Sequence, residues 1–226
     1  MSQWLKVIED LSYGVQDFEK NFPLEEFAAG NYKQYPKVTL LTCADSRMPV
    51  SMLGPIFNNI FSIENIGNQF KNGAGSVLYG LLHLHTPLFI VAGHTDCGAV
   101  IAAGSDFSSE PMEIQNELTT LKSTLSDIQQ ANYEFSSEPS LKINQLAELN
   151  VDKQIDYALG IEEVRKLVDS KELLILGIMV DLHNNYGGGY GKIYTTNCNG
   201  ITDINAIKEI LPDGFFKERV KRLVTA

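Results

Sequence analysis

The chain has 226 residues, of which 44% are hydrophobic, and its formal net charge is −10. This length suits one domain, which would bury about 70% of the surface that its unfolded chain exposes. The negative charge disfavours binding to nucleic acid or to anionic lipid. No stretch approaches the ~18 apolar residues of a membrane span, and residues 1–10 lack the features of a signal peptide. We therefore expect a single domain over residues 1–226 that binds neither nucleic acid nor membrane.

Three cysteines are too few for a disulfide framework in a chain of this size. Free thiols persist in reducing compartments, because glutathione and thioredoxin keep them reduced there. We therefore expect the protein to be cytoplasmic.

The N-terminal segment has apolar side chains at every third or fourth position, from Trp4 to Phe18. This spacing predicts an amphipathic helix over residues 2–19. Its apolar stripe must be covered either by the protein's own core or by another surface.

The segments that follow alternate between buried strands and helices. The pattern first predicts strands at 37–42 and 59–66, followed by a Gly-rich turn through Gly73 and Gly75. It then predicts a helix at 76–85, which begins at Ser76 and is stopped by Pro87, and a strand at 89–92. A helix that connects two strands in this way implies a parallel sheet.

Residues 102–150 are richer in polar side chains, but apolar residues recur at helical spacing between Ile114 and Ile128. They predict a helical excursion, followed by a separate helix at 151–170. The remaining segments predict a central strand at 173–181, a hairpin turn, an edge strand at 192–196 and one or two helices at 203–224 broken at Pro212 and Gly214. The fold class is therefore α/β, with a mainly parallel central sheet flanked by helices.

Two of the buried strands end in side chains that bind metals. Cys43 follows the strand at 37–42, and His94 and Cys97 follow the strand at 89–92. Open α/β sheets place their sites at the carboxyl ends of strands. Two cysteines and one histidine without an obvious fourth partner are typical of a zinc site that keeps one position open. Cys198 could instead close the set as a structural site, and the sequence leaves this alternative open.

The residues around these ligands carry a resemblance to a known family. CADSR at 43–47 and GHTDCGAV at 93–100 resemble the two metal-binding motifs of the β-class carbonic anhydrases. NIGN at 65–68 and ELNV at 148–151 are similar to two further motifs of that family. The resemblance implies one Zn2+ per chain, held by Cys43, His94 and Cys97. It also implies reversible hydration of carbon dioxide to bicarbonate by zinc-bound hydroxide, in a homodimer or a higher even homo-oligomer in which the N-terminal helix lies across a partner subunit.

Two charged residues follow Cys43 closely. An ionised Asp45 accepts hydrogen bonds only, so it would take one from the zinc-bound water and orient it toward the substrate, or would bind zinc directly in a closed state. Arg47 could hold Asp45 bidentately and keep it off the metal, and the resemblance implies both jobs for this pair. Gly98, Asn65 and Gly67 are predicted to line the substrate pocket. Asp96 is expected to hydrogen-bond to amides of its own turn.

Three other functions remain open at this stage. The same scaffold could hydrolyse carbonyl sulfide or carbon disulfide. Asp45 could permanently complete a closed, structural zinc site without catalysis. A thiol redox protein is the third alternative, and it would require a reversible disulfide between Cys43 and Cys97.

Overall fold

The computed structural model describes residues 3–28, 30 and 32–224. The chain divides into two compact units, residues 1–34 and residues 35–226. The expectation of a single domain over residues 1–226 stays a prediction. None of the helices in the described ranges combines the length and the hydrophobicity that crossing a bilayer requires.

The N-terminal unit consists of the helices α1 (Gln3–Lys20) and α2 (Leu24–Ala28). The structure thus confirms the predicted N-terminal helix, and Ser2, its predicted first residue, lies outside the described residues. The apolar stripe of α1 is solvent-exposed in the single chain, with more than half of each side chain accessible at Trp4, Ile8, Leu11, Val15 and Phe18. Exposed apolar patches larger than a few hundred Å2 are uncommon on monomeric proteins and often mark contact surfaces.

The second unit is built on a sheet of five strands in its described residues. In chain order they are β1 (Val38–Cys43), β2 (Ile60–Asn65), β3 (Leu88–His94), β4 (Leu174–Asp181) and β5 (Lys192–Cys198). Their spatial order is β2-β1-β3-β4-β5, in which β5 alone pairs antiparallel. The sheet confirms the predicted α/β class, and its strands lie within two residues of the predicted bounds.

Successive side chains of the strands enter two different cores, because a strand points neighbouring residues to opposite faces. On β1, Leu41 and Cys43 join the core under the helices of one face, whereas Leu40 joins the core on the other face. Val91 and Ile90 divide in the same way on β3. The sheet is therefore covered on both faces, as parallel sheets require.

The helix between β2 and β3 differs from the prediction at its start. Helix α3 covers Phe70–Leu78 and continues into a π-helical turn at Tyr79–His83, so the predicted Gly-rich turn and the start at Ser76 are wrong. Gly73 lies inside α3, where a Cβ would come within 2.9 Å of Ile63 Cγ2. The glycine permits a close approach of helix and strand and does not mark a turn.

The polar excursion is helical, as predicted, but its end is not at residue 150. The helices are α4 (Gly98–Ala103), α5 (Met112–Gln130), α6 (Pro139–Leu159) and α7 (Glu162–Asp169). Residues 151–170 are largely helical, as predicted, but they do not form one separate helix, because α6 runs through Asn150 to Leu159 and α7 covers Glu162–Asp169. Much of α6 is buried, including the polar residues Asn144, Asn150 and Gln154.

The C-terminal segment returns to the sheet. As predicted, a hairpin joins β4 to β5, and Pro212 and Gly214 separate α8 (Ile204–Ile210) from α9 (Phe215–Glu218). Val220 then pairs with Thr195 of β5 as a parallel bridge, which covers the outer edge of that strand.

A buried charged cluster fixes the end of this segment against α6. Arg222 Nη2 lies 2.7 Å from Asp152 Oδ2 and 3.4 Å from Glu148 Oε1. The amide of Val224 donates to Glu148 Oε1 at 3.0 Å, and the Tyr186 hydroxyl donates to the same carboxylate. Burial raises the pKa of Glu148, and Arg222 opposes this shift. Arg222 is therefore the counter-charge for two buried carboxylates, Glu148 and Asp152.

The two glycines of α3 give opposite predictions for the same substitution. Gly73→Ala should lower the free energy of unfolding by about 1–3 kcal/mol, because the β-branched Ile63 cannot withdraw its Cγ2. Gly75→Ala is the matched control, since a Cβ there meets nothing within 4 Å and should raise stability by up to about 1 kcal/mol. Urea unfolding of both variants measures the difference. Equal effects would show that Gly73 is not a packing position.

Candidate metal centre

The carboxyl ends of β1 and β3 bring three metal-binding side chains together. Cys43 is the last residue of β1, His94 is the last residue of β3, and Cys97 precedes α4 as its N-cap. One ligand atom from each lies within 4.8 Å of the others, and all three residues are buried. The two strands are hydrogen-bonded neighbours, so their ends lie side by side.

The ring of His94 is oriented as a ligand would be. Its Nδ1 lies 2.9 Å from the carbonyl oxygen of Thr95, to which a protonated Nδ1 donates. The opposite nitrogen, Nε2, is buried and has no hydrogen-bond partner among the described residues. A buried polar atom without a partner needs an explanation, and a metal ion that accepts the Nε2 lone pair supplies it.

The thiols of Cys43 and Cys97 differ in their pKa. Hydrogen bonding from Cys97, together with contributions from His94 and the Gly67 amide, lowers the pKa of Cys43 to about 4 despite its burial. The pKa of Cys97 is raised, because its thiol proton is held by the Cys43 sulfur and because it is buried. The Gly67 amide donates to Cys43 Sγ at 3.5 Å. The site therefore favours a thiolate, which is the form that binds a metal.

Asp45 and Arg47 form the bidentate pair that was predicted for them. Arg47 Nε donates to Asp45 Oδ1 at 2.9 Å, and Nη2 donates to Oδ2 at 2.7 Å. These hydrogen bonds hold the pKa of Asp45 below its usual range. Asp45 Oδ2 lies 3.7 Å from His94 Nε2. The ionised Asp45 carboxylate thus lies beside the ligand cluster, and Arg47 donates a hydrogen bond to each of its oxygens.

Asp96 has a different role from the predicted one. In the described part of the chain, no amide of its own turn donates to the Asp96 carboxylate; Asp96 Oδ2 accepts a hydrogen bond from Arg47 Nη1 at 3.1 Å instead. Its carbonyl oxygen accepts a second, from Arg47 Nη2, at 3.0 Å. The Asp96 amide donates to Asn144 Oδ1 at 2.7 Å. No local sequence pattern pointed to either partner, since both lie almost fifty residues away along the chain.

The residues predicted to line the pocket occupy three different positions. Gly98 begins α4, where a Cβ would meet nothing within 4 Å, and it borders a cavity of about 430 Å3 with an apolar wall that includes Ile66 and Leu118. Gly67 faces the Cys43 sulfur. The Asn65 side chain bonds in both directions to the backbone of Gln69, at 2.6 and 2.9 Å, and so shapes the loop itself.

A buried side chain of the ELNV motif, for which no role was predicted, supports this loop. Asn150 of α6 donates from Nδ2 to the Gly67 carbonyl oxygen at 3.0 Å. Gln154 Nε2 in turn donates to Asn150 Oδ1 at 2.7 Å, and its Oε1 accepts from the Phe70 amide at 2.8 Å. The loop that contacts Cys43 is therefore fixed from the helix layer.

Cys198 does not join the ligand cluster. It is buried in the core on the opposite face of the sheet, with Leu176 and Ile178. The group of three ligand atoms found among the described residues does not include it. The alternative of a closed site with three cysteines and one histidine is therefore not formed in this structure.

Comparison with known proteins identifies relatives of this chain. A family model described as carbonic anhydrase matches residues 38–188. A carbonic anhydrase of Candida albicans is 26% identical over 180 residues, which are 76% of this chain and 62% of the relative. The chain thus spans less than two thirds of that relative's length. A carbonic anhydrase of Helicobacter pylori is also 26% identical, over 73% of this chain and 81% of its own.

Solved structures share the fold. A β-carbonic anhydrase of Coccomyxa, in complex with acetazolamide, superposes with a TM-score of 0.67 at 19% identity over 94% of each chain. A tetrameric β-carbonic anhydrase of Sordaria macrospora superposes with a TM-score of 0.64 at 21% identity, over 86% of this chain and 96% of the other. The family model covers more than half of the sequence and includes β1, β3 and all three clustered ligands. The chain therefore belongs to the β-class carbonic anhydrase family.

Proposed function

We propose that the chain binds one Zn2+ through Cys43, His94 and Cys97 and catalyses the reversible hydration of carbon dioxide to bicarbonate. The observation that carries this proposal is the cluster itself, in which three donor atoms lie within 4.8 Å of one another and one of them is a buried nitrogen without a partner. A set of two thiolates and one imidazole favours zinc over harder divalent ions.

Three protein ligands leave room for a reactant at the metal. A zinc ion bound there would supply Lewis acidity, which lowers the pKa of a water molecule so that it attacks carbon dioxide near neutral pH. Carbon dioxide is small and apolar, and the apolar wall beside Gly98 suits it. We place the substrate pocket at Gly98 and Gly67, with Asn65 shaping the loop between them.

Asp45 is the residue that orients the attacking water in this proposal. Its lowered pKa keeps the carboxylate ionised through the neutral range, so it can only accept a hydrogen bond. A water that donates one proton to Asp45 has its lone pair directed elsewhere, toward the substrate carbon. Arg47 holds the carboxylate through two parallel hydrogen bonds and prevents it from rotating.

The first prediction concerns Asp45 and the reaction. Asp45→Ala should slow carbon dioxide hydration by about 10–100-fold, because the water loses its orienting acceptor. Stopped-flow hydration on zinc-loaded protein measures this. Asp213→Ala is the control, since that side chain is 98% exposed in a surface ion pair and its loss should leave the rate unchanged.

One result would contradict the role of Asp45, and two would contradict the proposed reaction. An unchanged rate in Asp45→Ala would remove Asp45 from the mechanism. Zinc-loaded protein that hydrolyses carbonyl sulfide or carbon disulfide but does not hydrate carbon dioxide would favour that alternative activity. Bound zinc without any of these activities would favour a closed structural site that Asp45 completes.

The second prediction concerns the ligands. Wild-type protein should contain one zinc per chain, whereas Cys97→Ser and His94→Ala should lose most of it, because two donors rarely hold zinc tightly. Cys198→Ala is the matched control and should keep one zinc per chain, since Cys198 lies in the opposite core. Elemental analysis after dialysis against a mild chelator measures the content. Zinc loss in Cys198→Ala would contradict the proposed ligand set.

We also infer an even homo-oligomer in the cytoplasm. The exposed apolar stripe of α1 supports the oligomer, because it offers a surface for a second copy of the chain. The relative from Sordaria macrospora is described as tetrameric. The three free thiols, Cys43, Cys97 and Cys198, support a reducing compartment.

The third prediction tests the stripe. Leu11→Lys should shift the protein toward smaller species, because a charge in a buried apolar contact is costly. Glu9→Lys places the same side chain on α1 outside the stripe and should leave the assembly unchanged. Size-exclusion chromatography with light scattering reports the mass of each. The same mass for Leu11→Lys as for wild type would remove α1 from the interface.

A further inference from the structure

We propose that Asp96 is a positioning residue that anchors Arg47 and, through Arg47, keeps Asp45 away from the metal. The guanidinium lies between two aspartates. Its Nε and Nη2 atoms donate to the Asp45 carboxylate at 2.9 and 2.7 Å. Its Nη1 atom donates to the Asp96 carboxylate at 3.1 Å, and Nη2 also donates to the Asp96 carbonyl oxygen at 3.0 Å. This inference rests on the proposed metal site.

The backbone of Asp96 is rigidly placed, so it can serve as an anchor. Asp96 lies in the short turn between His94 and Cys97, and its φ of 57° is in the left-handed region. Its amide is tied at 2.7 Å to Asn144, which is 3% exposed on α6. The turn cannot move without moving two metal ligands. Arg47 is therefore tied to the frame of the metal site itself.

Arg47 needs this second contact because a large part of its side chain faces solvent. Its side chain is 43% exposed, and an exposed guanidinium held by one carboxylate gains little from the pair. With Asp96 present, four of its hydrogen bonds are directed at fixed acceptors and the planar group has one orientation. Without the Asp96 carboxylate, the guanidinium keeps only its hydrogen bond to the carbonyl oxygen of residue 96 on this side, and it can swing outward together with Asp45 or release it.

The release of Asp45 would have a direct effect at the metal. Its Oδ2 lies 3.7 Å from His94 Nε2, which is close to the ligand cluster. A carboxylate that is freed from Arg47 competes with water and with small anions for the open position. Asp96 thus favours the open form of the site, although its side chain contacts none of the three ligands.

The test uses cobalt-substituted protein and azide as an anionic probe of the open position. Asp96→Ala should weaken azide binding by about 5–10-fold, as read from the visible spectrum of Co2+, because Asp45 occupies the position for longer. Asp96→Asn keeps an acceptor for Arg47 Nη1 and should recover part of the affinity. Asp213→Ala, an exposed aspartate far from the site in sequence, should bind azide like wild type.

A double-mutant cycle with Asp45→Ala separates positioning from general damage to the turn. If Asp96 acts through Arg47 and Asp45, Asp96→Ala should have no effect on azide affinity in the Asp45→Ala background. An equal loss in both backgrounds, or no loss in either, would overturn the inference. A cobalt protein that follows the cycle but does not hydrate carbon dioxide would refute the proposed reaction alone. A chain that binds no Co2+ would refute both.

Discussion

The parallel pairing of β1 with β3 is the constraint on which the metal-binding geometry depends. Val38 through Thr42 pair in register with Leu88 through Ala92, so the two strands end together. A slip of one residue would turn Cys43 from the core that contains Cys97 into the core on the opposite face. Burial in the two cores therefore determines the strand register, and the register places the Cys43 sulfur near His94.

Helix α6 provides the second level of support. Asn144 binds the turn between His94 and Cys97, and Asn150 binds the loop whose amide faces Cys43. Both side chains are almost fully buried, so their hydrogen bonds are made away from competing water. Through these two side-chain amides, one helix holds two of the loops that form the candidate site, and through Glu148 it also holds the C-terminal segment.

The features that could be predicted from the sequence are those encoded within a few residues. Apolar runs predicted the strands. The side chains at the carboxyl ends of two strands predicted the ligand set, because parallel strands end at a common edge of the sheet. Gly73 was misread as a turn because its purpose, contact with Ile63, is a tertiary one. The predicted start of a new helix at residue 151 was wrong for a related reason. Polar side chains of α6 form hydrogen bonds with loops that are distant in the sequence, and no local pattern shows this. The anchoring of Arg47 by Asp96 spans 49 positions of sequence and has no local pattern.

The cluster of Glu148, Asp152 and Arg222 has a consequence for how this sequence can change over generations. Replacing Arg222 alone would leave two carboxylates buried without a counter-charge, at a cost of about 3–5 kcal/mol, which is a large part of the stability of an ordinary domain. Replacing either acid alone changes the charge balance less, because the other acid remains. Evolutionary drift at these three positions should therefore be ordered: the acids are lost first, and the arginine becomes free to vary only after both have been replaced.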